Sequence, residues 1–431
     1  MGKSAFLSLI EGNTKNNIVS IKGKTIDNSD MNFYNSEIKL YYFYDCTFTK
    51  DFDFYPNEKE IETEFKFDKC VFTGNIDFNA PHCDFKSSIV FISTTHDNSH
   101  NSLLRFHATF SERIFIKNIK FKELLNIEFS SLPDKERLYH SIIIRDCNQT
   151  IDEISFDGIK VEELIIRDSH INNISLEKMI ISNKLDIVNI KNISELKLDN
   201  VDFEENSKNR IENLTVNDFI LKKVSQDAKY IQFHHILVQN KFICKRIELK
   251  NTYFNDFDIS KADKSIQKTS FIDAHLNSIE WGKIDKIKTT QDIFRQLKFV
   301  NDKQGNHIEA NTFYMMEMKK YKDTIKEKNF QDKIVFYFNE TISDFGQSWI
   351  KPFVIYLVFG LLFSILMYAC LPIKDDITGK NIEFFKILVD SFNPISKDII
   401  KNYSLGGLIY KVISGLILYQ FIMALKRQTK R

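Results

Sequence analysis

FDGIKVEELIIRDSHINNISLEKMII, residues 156 to 181, is rich in isoleucine yet follows neither common apolar period. Helical spacing of three and four fails, and strand alternation holds for only a few residues before it slips. A period of five holds. Phe156, Val161, Ile166, Ile171, Leu176 and Ile181 are all apolar, and two places before them stand Ile154, Ile159, Leu164, Ser169, Ile174 and Met179. Residues i and i−2 of an extended segment point to the same face. A chain that turns a corner every five residues therefore places two side chains inward on each short side. The other three positions fall at corners or in water, where Asp, Asn, Lys and Glu are tolerated. Successive coils then stack as parallel strands about 4.8 Å apart.

The same spacing recurs at Phe33, Ile38, Phe43 and Phe48, where Ser36 and Cys46 are small residues two places earlier, and again at Ile266, Phe271, Leu276 and Trp281. The frame slips by one near residue 185 and resumes at Leu198 and Phe203, while residues 82 to 150 keep little register. Self-similarity at a fixed period marks a repeat architecture. With four sides per coil, residues 28–285 predict about thirteen coils and a rod about 60 Å long. Residues 1–27 are expected to cap it.

This pattern resembles the bacterial pentapeptide-repeat proteins, which are right-handed square β-solenoids with Leu or Phe at the central position and small residues two places before. The resemblance implies a mainly β fold. The chain departs from it at Ile159, Leu164, Ile174 and Met179, which are large where the family prefers Ala, Ser or Cys. Irregular or swollen coils are expected as a result.

Composition narrows the functional classes. The 431 residues carry 59 basic and 58 acidic side chains, a net charge of +1. That balance argues against a dedicated nucleic-acid binder, which would show a basic stripe, and equally against an acidic DNA mimic. Cys46, Cys70, Cys83, Cys147, Cys244 and Cys370 include no CxxC pair and read as buried, reduced thiols of a cytoplasmic domain. With 13 glycines against 39 phenylalanines, the chain has few residues for glycine-rich ligand loops. No Gly-rich phosphate loop, GxSxG or Cys/His nucleophile arrangement is present, so a non-enzymatic protein without a cofactor is expected.

Beyond residue 286 the period becomes helical, with Ile293, Phe294, Leu297 and Val300 on one face. Thr289 and Asp292 resemble a capping box, and Gly305–Asn306 reads as a turn. Ile308, Ala310, Phe313, Tyr314 and Glu317 mark a second helix. Residues 286–351 thus form a helical linker and juxtamembrane helix, and 352–431 a two-span module. FVIYLVFGLLFSILMYACLPI (353–373) has no charge, and LGGLIYKVISGLILYQFIMAL (405–425) is broken only by Lys411. About 20 apolar residues suffice to cross a bilayer. Trp349, Tyr356, Tyr410 and Tyr419 supply interfacial aromatics, and Lys351 with the tail KRQTKR places both ends in the cytoplasm. FRQLKFVNDKQGNHIEANTFYMMEM, NETISDFGQSWIKP and two spans flanking FNPISKD resemble a bacterial subfamily that joins pentapeptide repeats to a two-span, channel-like C-terminus. The resemblance implies an inner-membrane location.

Several residues are candidates for function. His96, His100 and His107 offer metal-ligand chemistry in a spacing that fits no usual zinc pattern, and a polar loop between irregular coils is the simpler reading. His307, Glu309 and Glu317 lie on one helix and could in principle serve acid–base work, with a solvated or packing face as the simpler reading. Lys319, Lys320, Lys322 and Lys326 lie in a lysine-rich stretch suited to anionic lipid. Lys411 shares a helix face with Gly415 and Tyr419, and either snorkels to the surface or lines a pore or subunit contact. Gly360 and Ser364 form a small-xxx-small packing surface. Asn393–Pro394 follows an amphipathic run that would suit a re-entrant channel loop, though no TVGYG-like filter is present, or a helix on the outer membrane surface. The leading expectation is a scaffold that binds an unidentified cytoplasmic protein or ligand, anchored in membrane lipid and oligomerising with copies of itself through its spans. A pore-forming, membrane-depolarising effector of the phage-defence type is the alternative, and a membrane-bound enzyme the third reading. The outward positions Glu162, Arg167, Asp168, His170 and Lys178 are where a solenoid function would lie.

Overall fold

The computed structural model describes residues 3–27, 35–56, 58–97, 102–121, 125–130, 137–191, 193–226, 228–325, 329–370, 377–393 and 398–429. It divides into two compact units, residues 1–289 and 290–431. The first is a β-solenoid preceded by helix α1 (Lys3–Gly12) and a tight hairpin, in which Thr14 pairs antiparallel with Val19 around Asn16 and Asn17, both with positive φ. Strand Ile18–Lys22 already pairs parallel with Leu40–Tyr44. The stack thus begins inside the segment read from sequence as a cap.

Successive turns stack strand on parallel strand. One side runs as a parallel stack through Tyr41, Phe65, Ile89, Ile114, Ile142, Leu164, Leu185 and Asn209. The inward positions of the 156–181 stretch behave as the five-residue period requires. All six central residues, and all six residues two places before them, are buried. Cys46 is buried as expected, but Ser36 is exposed.

The coil number is corrected. A step of 20 residues occurs where Thr150 pairs with His170 and Glu153 with Asn173. Elsewhere the step reaches 29, as from Phe110 to Tyr139. Longer steps give about ten turns rather than thirteen. The same cause explains residues 82 to 150. Extra residues at corners destroy the five-residue count, but strand alternation persists between corners. Leu104, Phe106, Phe110, Ile114, Ile116, Ile127 and Phe129 are all buried, so this segment continues the solenoid.

The abundance of phenylalanine follows from the stack. Phe43, Phe67 and Phe91 lie one above another at 5.3 and 5.0 Å between centroids. Phe78, Phe106, Phe129 and Phe156 do the same at 5.6, 4.9 and 4.8 Å. The strand spacing of about 4.8 Å sets that repeat. One corner is built by left-handed residues in consecutive turns, namely Asp45, Lys69, Ser93, Asn118, Asp146, Asp168, Asn189, Asn213, His235 and Asp256. Asn and Asp tolerate this conformation best among residues with a Cβ, and they dominate the column.

The second unit is helical. Helix α2 (Gln291–Lys303) and α3 (His307–Ile325) form the expected pair, joined at Gly305 with φ +80°. The expected capping box is not formed. Thr290, one residue later than Thr289, is the N-cap and makes no side-chain cap bond, and the Thr289 hydroxyl is buried without a partner. Helices α4 (Phe330–Ser343), α5 (Ile350–Ala369), α6 (Ile377–Phe392) and α7 (Asp398–Thr429) follow. Ile350–Ala369 and Leu405–Arg427 are long and apolar enough to cross a membrane. Residues 371–373 of the first predicted span lie outside the described residues.

Candidate functional site

Helix α5 has an inverted distribution of polarity, and both α5 and α7 expose broad apolar faces. On α5 the buried residues are Pro352, Gly360 and Ser364, while Leu357, Val358, Leu361, Leu362, Ile365 and Leu366 are exposed. On α7, Leu405, Leu408, Ile409, Val412, Leu416 and Ile422 are exposed, while Ile399, Tyr410, Ser414, Ile417 and Ala424 are buried. Water would drive the opposite arrangement.

The polar groups converge on the C-terminal end of α6. The last carbonyls of any helix lack partners within it, and here side chains from both apolar helices supply them. Lys411 Nζ donates to the carbonyls of Asp390 (3.1 Å) and Asn393 (2.6 Å). Tyr410 Oη donates to Ser391 O (2.9 Å) and Tyr356 Oη to Phe392 O (3.0 Å). A cation at this end also opposes the negative pole of the helix dipole. Lys411 thus has a local role that neither sequence reading named. Tyr410 is buried, Tyr356 is half-buried with its hydroxyl on the end of α6, and Tyr419 is exposed.

Gly360 and Ser364 receive α6. The Ser364 hydroxyl lies 3.1 Å from that of Ser391, and a Cβ on Gly360 would stand 2.5 Å from Phe392 Cε1. Gly415 has no atom within 4 Å of where its Cβ would be and remains an open surface with Tyr419. Asn393 is exposed; Pro394 lies outside the described residues.

The other candidates separate. Lys319 and Lys320 are exposed, Lys322 is paired with Glu340 at 2.7 Å, and Lys326 lies outside the described residues. Glu317 is buried and held by Arg295 at 2.9 Å, whereas His307 faces Asp302 at 3.3 Å. The Glu309 backbone N–H donates to Asn306 Oδ1 at 3.3 Å. These contacts give Glu317 and His307 structural partners. A cavity of about 280 Å³ near the end of α7 is lined by Lys298, His307, Lys426 and Arg427.

Of the three candidate histidines, two are described, and both lie on strands rather than in a polar loop. His100 lies outside the described residues, and His107 is half-buried in the strand Ser102–Lys117. His96 points inward, in the parallel register of Phe48, Phe72 and Phe121. Its ring stacks on Phe72 at 5.4 Å, and neither ring nitrogen has a partner. Burial pushes its pKa down to about 4. The unfolded chain therefore takes up a proton at a higher pH than the folded one, and stability falls as pH drops from the unfolded value of about 6.5 toward 4. His96→Phe should remove about 2 kcal/mol of this loss between pH 7 and pH 5. Urea melts of the two proteins at both pH values check it, and equal pH dependence would refute it.

Five cysteines are buried as expected, but Cys370 is exposed, and all six are free thiols. Of the outward solenoid positions, Glu162 faces His140 at 2.8 Å, Asp168 accepts from Asn189 at 2.8 Å, and Lys178 faces Asp157 at 3.3 Å. His170 is half-buried, and its backbone bridges Lys191. Arg167 binds Asp186, a 1% exposed carboxylate that also meets Lys184 at 3.4 Å and Arg210 at 3.2 Å.

Sequence reasoning missed Asp186, because only Lys184 is near it in sequence, while Arg167 and Arg210 come from the turns on either side. It also missed His234–His235. Their adjacency was legible, but the carboxylates beside them come from turns 22 residues away in either direction. Compared with protein-family models, with curated proteins and with solved structures, the chain gives no match.

Proposed function

We propose that the chain is a non-enzymatic scaffold of the bacterial inner membrane, with both termini in the cytoplasm and the solenoid as its binding surface. The observation that carries the reading is the inverted polarity of α5 together with the broad apolar faces that α5 and α7 expose. Apolar side chains face out while Ser364, Ser391, Tyr410 and Lys411 turn in, as hydrocarbon solvent demands. The five-residue inward period supports placing the solenoid with the pentapeptide-repeat proteins. Repeat proteins present extended faces to partners, and a cytoplasmic protein or ligand is the expected occupant. Exposed Lys319 and Lys320 suit anionic lipid at the surface. The open face of Gly415 and Tyr419 suits contact with another copy.

A second reading is favoured by one observation. The C-terminal end of α6 packs against Gly360, about 14 Å along α5 from its Ala369 end at 1.5 Å per residue. A short helix ending between two spans is the outline of a channel-like, re-entrant segment. Lys411, however, occupies the pole that would otherwise favour a cation.

Membrane potential in expressing cells decides between the two, comparing the wild type with Lys411→Leu and a deletion of 374–404. Unchanged potential in all three, with the protein verified in the membrane fraction and a partner captured by the solenoid, is the scaffold result. Depolarisation by the wild type that either change alters moves the pore to the front. Release of the wild type from membranes by alkaline carbonate would overturn both.

A further inference from the structure

We propose that His234, His235 and Asp256 form a binding site for a divalent transition-metal ion, with Glu212 orienting one of the ligands. Neighbouring residues of a strand normally point to opposite faces. His235 takes the left-handed corner position with φ +50°. Both imidazoles therefore project outward, 3.8 Å apart at their centroids. Stacking brings a carboxylate from either side, since Glu212 pairs in register with His234, and His234 with Asn255, the residue before Asp256.

The distances suit coordination. His235 Nδ1 lies 3.1 Å from Asp256 Oδ2, and His234 Nε2 lies 3.9 Å from the same oxygen. One donor atom from each of the three residues lies within 4.8 Å of the others. A tetrahedral ion with bonds of about 2.0–2.2 Å holds its ligands roughly 3.4 Å apart, so small side-chain movements close the site. Two imidazoles with one carboxylate suit zinc and its neighbours.

The surroundings strengthen the assignment. His234 Nδ1 lies 3.4 Å from Glu212 Oε1, leaving Nε2 as the metal-facing atom. A ligating histidine usually gives its second nitrogen to a carboxylate in this way. Glu212 is held in turn by Arg210 at 3.2 Å, and Arg210 by Asp186. Three protein donors leave a fourth position open to solvent or to a group on a partner. The bound ion would tie consecutive turns together at this corner.

The test uses the full-length protein in detergent, titrated with Co²⁺ and then with Zn²⁺ against a chromophoric chelator. The wild type should bind one equivalent, and Co²⁺ should give the intense visible bands of a tetrahedral N/O site. His235→Ala and Asp256→Asn should each weaken binding at least about 100-fold. Glu212→Gln should weaken it about 10- to 100-fold and keep the Co²⁺ bands, a combination that general destabilisation would not give. His140→Ala, in a histidine–carboxylate pair elsewhere on the solenoid, should leave affinity unchanged. Circular dichroism verifies that each variant is folded. No stoichiometric binding by the folded wild type, or binding that persists in His234→Ala/His235→Ala, overturns the assignment.

Discussion

Asp186→Asn should destabilise the solenoid by about 3 kcal/mol, the largest loss expected from any single outward position. The carboxylate is 1% exposed, while Arg167, Lys184 and Arg210 around it are each more than a third exposed. Asp186 lies between Ile165 and Arg210 in the parallel register, so its three partners belong to three successive turns. Removing its charge leaves those cations facing one another without the group that gathers them. Their exposure keeps the cost near the lower end of the range for a broken buried pair. Added salt should recover part of the loss, because exposed like charges are screened. Solenoid stability is a sum over neighbouring turns, so hydrogen exchange should accelerate first around residues 163–212. Replacing the group by apolar residues in Asp186→Leu/Arg167→Met/Arg210→Met should restore most of the stability. A urea midpoint for Asp186→Asn within error of the wild type would show that the cluster is ornamental.

Much of the fold was legible in residues 156–181, and the reason is physical. Inward positions obey a steric rule with one local period, and that rule held even at Ile159, Leu164, Ile174 and Met179, where large residues replaced small ones. The coil count was not legible, because corners absorb extra residues at little energetic cost and no rule fixes their number. The two long apolar helices were legible from length and apolarity. The contacts of Lys411 were not, because its partners are backbone carbonyls, which have no signature in sequence. His96 misled for a related reason. A histidine in a polar stretch reads as part of a loop, and only the pairing of residue 72 with 96 shows that it occupies a buried phenylalanine position. The His234–Asp256 group depends on pairing across turns, which a linear reading cannot supply when the turn length varies from 20 to 29 residues.

Gly360→Leu should disrupt the helical module, with a loss of about 3 kcal/mol or more from overpacking compounded by loss of the α6 end contacts. A Cβ at this position would meet Phe392 Cε1 at 2.5 Å, Cζ at 2.9 Å and Cδ1 at 3.1 Å, so the end of α6 must withdraw from α5. Withdrawal separates Ser364 from Ser391 and Tyr356 from the Phe392 carbonyl. In an apolar medium an unpaired carbonyl costs several kcal/mol, so the effect exceeds the steric term. Lys411→Met should act on the same element without a clash, by removing the donor shared by Asp390 and Asn393. Both variants should lower the melting temperature in detergent and hasten hydrogen exchange in residues 382–393. Gly415→Leu separates this local role from assembly. Its side chain would enter open space, so the monomer should melt as the wild type does. If the face it shares with Tyr419 joins copies of the chain, the oligomer should instead dissociate on size-exclusion chromatography. A Gly360→Leu protein that melts like the wild type would show that α6 does not seat between α5 and α7.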